Sequence, residues 1–72
     1  MQLIETIFEL HKRLAANRRF GVPAQTLREE IGCGPTRLKR AISFLRDVLQ
    51  APLIMDPERG TYRYESEGVY QL

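Results

Sequence analysis

Residues 32–47 read GCGPTRLKRAISFLRD, and this stretch decides how the chain folds. Gly32 stands where a helix would end in the left-handed conformation, which only glycine adopts without a steric cost. Pro35 suits the first turn of the following helix, where its missing N–H leaves no hydrogen bond unmade. The new helix opens on Thr36, Arg37, Lys39 and Arg40 and continues with Ile42, Leu45 and Leu49. At 100° per residue, Leu38, Ala41, Ile42, Leu45, Val48 and Leu49 share one arc. Thr36, Lys39, Arg40, Ser43, Asp47 and Gln50 fall on the opposite arc, with Arg37 and Phe44 on a flank. The pattern predicts a helix over 35–50 with an apolar back and a basic front.

Working outward, residues 24–31 form a shorter predicted helix in which Leu27 and Ile31 lie one turn apart. A first helix over 2–18 carries the stripe Leu3, Ile7, Leu10 and Leu14, widened by Ile4, Phe8 and Ala15. The stretch FGVP breaks it, because Gly21 and Pro23 both resist helix continuation. Beyond Pro52 the period changes. LIM at 53–55 and TYRYE at 61–65 are short β-prone runs around the turn-forming DPERG, which predicts a β-hairpin. The expected architecture is mainly α with a small β-hairpin: three helices plus a wing, a winged helix-turn-helix. Residues 1–65 form the expected domain, and 66–72 a tail or linker towards a further C-terminal domain.

A chain of 72 residues with net charge +2 makes one small domain, and the charge is unevenly distributed. Residues 35–50 carry +3, whereas 51–72 carry −2. A local basic face matters more than the average when the partner is a polyanion. Cys33 is the only cysteine, which excludes disulfides and cysteine-rich zinc sites and fits a reducing, cytoplasmic setting. It reads as a small buried turn residue rather than a redox thiol. His11 has no partner ligands in the sequence and reads as a structural helix residue. The N-terminus MQLIETIFEL carries Glu5 and Glu9 where a secretory signal would be basic, and no apolar run is long enough to span a membrane. Without a glycine-rich phosphate loop, a nucleophile–base set or a metal cluster, the expectation is no enzyme, no metal and no cofactor.

A helix with a greasy back and a cationic front has the width to enter the major groove of B-DNA. The expected function is therefore sequence-specific binding of double-stranded DNA. Thr36, Lys39, Arg40 and Ser43 are the candidate groove-facing residues. Arg37, on the flank, is expected on a phosphate. Arg59 at the hairpin tip is expected to reach an adjacent backbone or minor groove, supported by Arg63. The hairpin tyrosines Tyr62 and Tyr64, with Tyr70, are read as packing residues rather than base-stacking platforms. The alternative is a winged-helix module that docks proteins without binding DNA, favoured by Phe44 and the acidic C-terminal segment.

The pieces LREEIG (27–32), LKRAISFLRD (38–47), APLIMD (51–56) and RGTYRY (59–64) together resemble the N-terminal winged helix of bacterial WYL-domain transcriptional regulators, a DeoR-like branch. The resemblance covers nearly the whole chain and is most specific over 27–65. It implies an operator-binding regulator, a homodimer in the full-length protein, and a C-terminal domain that senses an effector. It also implies that Thr36, Arg37, Lys39 and Arg40 lie on the DNA-reading segment and that Tyr62 packs inward. Gly34 departs from the family's frequent capping serine, Ala41 from a common aspartate, and Thr61 from a frequent glycine.

Overall fold

The structure is a computed structural model and describes residues 2–65. Helix α1 (Leu3–Ala16) is followed by strand β1 (Val22–Pro23), helix α2 (Ala24–Ile31) and helix α3 (Pro35–Ser43). A π-helical turn (Phe44–Val48) extends α3, and strands β2 (Leu53–Asp56) and β3 (Thr61–Tyr64) complete the chain. Three helices thus accompany a three-stranded antiparallel sheet of order β1-β3-β2, an arrangement compatible with a small winged-helix-like domain. The expected tail 66–72, including Tyr70, lies outside the described residues. No helix among the described residues is long and apolar enough to cross a membrane.

Local chemistry explains most of the boundaries. The Gln2 N–H donates to Glu5 Oε1 at 3.2 Å, so the residue that caps α1 finds an acceptor in the helix's first turn. Gly32 takes φ 79° and returns its N–H to Arg28 O at 2.8 Å, closing α2. Gly34 precedes Pro35 with extended backbone, and the Leu38 N–H donates to Gly34 O at 3.1 Å. In the hairpin loop Asp56 Oδ1 accepts from the Glu58 and Arg59 N–H groups at 3.0 and 3.4 Å. This side-chain cradle makes the tight reversal that the sequence DPERG predicts.

Two features depart from the sequence reading. First, the sheet has a third strand: Val22 pairs with Tyr62 and Pro23 with Thr61, where only a helix-breaking loop was expected. Gly21 makes this possible by taking φ 79° beside the Tyr62 carbonyl. Second, the helix predicted over 35–50 is not uniform. The Leu49 N–H donates to Phe44 O at 3.1 Å, a five-residue rather than four-residue step. The wider turn shifts the facing of the residues that follow. Val48, placed on the apolar arc by a regular period, is 62% exposed. Gln50 then takes φ 54°, and the Ala51 N–H returns to Leu45 O at 2.9 Å to end the segment.

The core draws Ile7, Leu10 and Leu14 from α1, Leu27 and Ile31 from α2, and Leu38, Ala41, Ile42 and Leu45 from α3 and its extension. Val22, Ala51 and Tyr64 close it from the sheet side. Cys33, expected as a small buried turn residue, packs against this core but is only partly buried.

Tyr64 is fully buried, and its hydroxyl lies 2.8 Å from His11 Nδ1, tying α1 to β3. The Arg18 guanidinium sits over the Tyr64 ring at 5.7 Å. Burial, and then the nearby Arg18 charge, hold the His11 imidazole below its ordinary range. A histidine whose folded pKa is depressed contributes stability that is full above its unfolded pKa, about 6.5, and is lost as pH falls through the folded value. The urea midpoint is therefore expected to fall when the buffer is taken from about pH 7.5 to about pH 5.5, and to fall less in His11→Gln. Equal pH dependence in the two proteins would remove His11 as the cause.

Candidate nucleic-acid interface

The candidate face is built on α3 because its rear is anchored. Leu38, Ala41 and Ile42 are all 6% exposed or less, which fixes the rotation of the helix about its axis. With the rear fixed, Thr36, Lys39 and Arg40 are exposed, while Arg37 and Ser43 are half-buried. None of the described acidic residues forms an ion pair with Arg37, Lys39 or Arg40. The basic side chains of α1 differ. Arg13 lies 3.5 Å from Glu9 and 3.4 Å from Glu30, and Lys12 lies 3.2 Å from Glu9. Charge on α1 is thus satisfied internally, whereas charge on the front of α3 is left to the solvent or a partner.

Depressions flank α3 on both sides. On the side of α1, Thr36, Arg37 and Arg40 surround a hollow with Gln2 and Leu3. Beside it, Lys39, Arg40 and Ser43 border a shallower one floored by Leu3, Phe44 and Val48. On the opposite side a groove runs between α3, α2 and the sheet, lined by Lys39, Ser43, Arg46, Arg28, Met55 and Tyr62 among others. Lys39 and Ser43 therefore border both sides and stand on the crest of the helix.

The hairpin residues are placed differently. Arg59 is at the tip, with its side chain 69% exposed and its Nε 3.9 Å from Asp56 Oδ2. Tyr62 packs against the core and faces the groove, the inward orientation that the resemblance implies. Arg63 is next along the strand and so lies on the other face of the sheet. It is half-buried there beside Gly21, and its guanidinium donates to Tyr64 O at 3.4 Å. The structure gathers Thr36, Arg37, Lys39, Arg40 and Ser43 on one helix, but it does not bring Arg63 to that face.

Arg28 and Arg46 are the basic residues of this region that the sequence reading passed over. Arg46 follows Lys39 by seven residues, two helical turns, so a longer stripe would have included it. Arg28 lies on α2, and only the packing of α2 against α3 brings it near. No family model, curated protein or solved structure matches the chain.

Proposed function

We propose that this domain binds double-stranded DNA sequence-specifically, as the DNA-binding part of a transcriptional regulator, with the α3 segment in the major groove and the hairpin as a wing. The observation that carries this reading is the front of α3: Thr36, Lys39 and Arg40 are exposed there, opposite a rear that is locked into the core. Exposed cations on a protruding helix neutralise phosphates and release counterions, which supplies most of the non-specific affinity. Lys39 and Arg40 are also able to donate to guanine O6 and N7, and the Thr36 and Ser43 hydroxyls to contact bases or phosphates. Arg37 takes a phosphate role on the flank. Arg59 takes the wing contact. The resemblance to WYL-domain regulators supports the same reading and extends it to a homodimeric full-length protein with an effector-sensing domain.

Charge reversal of Lys39 and Arg40 to Glu is expected to lower affinity for a mixed-sequence duplex at least about a hundredfold at low salt. Both side chains are exposed, so the circular dichroism spectrum should not change. Unaltered affinity in the double variant would overturn the proposal.

A second reading, protein docking, is favoured by the exposed apolar side chains Ile4, Phe8 and Val48 at 51%, 51% and 62%. Retention on heparin and on duplex DNA at low salt separates the two. A domain that flows through both columns belongs to the docking class.

A further inference from the structure

The groove between α2, α3 and the sheet holds about 650 Å³ and collects three cations from two helices. Lys39 and Arg46 enter it from the α3 segment and Arg28 from α2. Among the described residues, no acid lines it. Asp47 is the described acid paired with a groove cation, its Oδ1 3.2 Å from Arg46 Nε. Both side chains of that pair are more than half exposed, at 56% and 64%, so the pair is weak and exchangeable. The sheet wall is different in character: Tyr62 lines it, and Met55, 51% exposed, leaves apolar surface facing the cations. Three like charges around a partly apolar trough repel one another until an anion with a non-polar body enters.

The hollow on the far side of α3 carries Arg37 and Arg40, so the helix is a ridge between two basic troughs. A ridge of this form suits B-DNA. The major groove, about 12 Å wide, takes the helix, and the two strands bordering that groove then pass on either side of it. A hairpin lying beyond one trough places that strand between helix and wing.

We propose that the groove seats the sugar-phosphate backbone of one DNA strand, with Arg28 and Arg46 on its phosphates and Met55 and Tyr62 against the deoxyribose. This rests on α3 entering the major groove and adds to it which strand path the protein uses and which residues, on α2 and at the end of α3, fix it. Contacts of this kind set register and carry no sequence information. Arg28 and Arg46 thus position the helix, and the crest residues read.

The test uses Arg28→Gln and Arg46→Gln, singly and together, with fluorescence anisotropy on mixed-sequence duplexes as salt is raised. Each lost phosphate contact should shrink the slope of log affinity against log salt by about one, and the double variant's slope by about two. The gap between wild type and double variant should then narrow about tenfold from about 50 to about 200 mM salt. The loss should be the same on every duplex. Should Arg28→Gln lower stability, Arg46→Gln alone decides, since its side chain is exposed; its slope should shrink by about one. Unchanged slopes, with wild-type binding present and lost in the Lys39 and Arg40 reversal, overturn this strand path and leave the role of α3 standing. A wild-type domain that binds no duplex overturns both.

Discussion

Gly21→Ala is expected to destabilise the domain by about 3 kcal/mol or more, lowering the melting temperature by roughly 15 °C. Two costs add. Gly21 holds φ 79°, a left-handed conformation that costs an L-residue about 1–2 kcal/mol. An added Cβ would also stand 2.9 Å from the Tyr62 carbonyl oxygen and 3.2 and 3.3 Å from the Arg63 and Thr61 Cβ atoms. The oxygen belongs to backbone held between two strands, so it cannot swing away as a side-chain end would. Relief requires β1 to move off β3, and β3 is the central strand of the sheet. Gly32→Ala is the control. Its φ is also 79° but nothing lies within 4 Å of the added Cβ, so only the conformational cost of about 1–2 kcal/mol applies. A domain of this length has roughly 4–11 kcal/mol in total, so the two variants should be well separated in denaturant midpoint. Equal losses would mean that the close approach at Gly21 is not real.

Leu45→Ala is expected to cost about 2–5 kcal/mol, whereas Val48→Ala should change stability by less than about 0.5 kcal/mol. Leu45 is fully buried, and truncating it removes burial and leaves a cavity in the core cluster to which it belongs. Val48 follows by three residues and would share that face in a regular helix. The π-helical turn widens the step from Phe44 to Leu49 and leaves Val48 62% exposed. Chemical denaturation of the two variants therefore reports whether the wide turn exists. A cost at Val48 matching that at Leu45 would restore the uniform helix.

Neither position could be ranked from the sequence, although much around them could. Helix α2 was read over 24–31, as found, because Leu27 and Ile31 mark its buried face and Gly32 its stop. The start of α3 followed from Pro35, and the hairpin from β-prone runs around a turn whose aspartate accepts from its own backbone. The cationic front of α3 was equally legible, since an apolar arc on a helix necessarily defines its opposite. Of the front residues named from the period, Thr36, Lys39 and Arg40 are exposed and Ser43 is half-buried. Arg63 was legible only as a charged hairpin residue. That it faces away from Tyr62 follows from strand alternation, but that the Tyr62 face is the one turned to α3 was decided by how the sheet packs on the helices.

The order of charges and apolar positions along the chain determined the helices, their stops and the basic face, because each depends on neighbours within a few residues. Tertiary packing decided the rest. A two-residue strand such as β1 has no preference of its own and exists because β3 supplies its partners. The wide turn at Phe44–Val48 trades one regular hydrogen-bond step for the placement of Leu49 and Ala51 against the core. The meeting of Arg28 with Lys39 and Arg46, and of His11 with Tyr64, joins segments far apart in sequence, where no local period reaches.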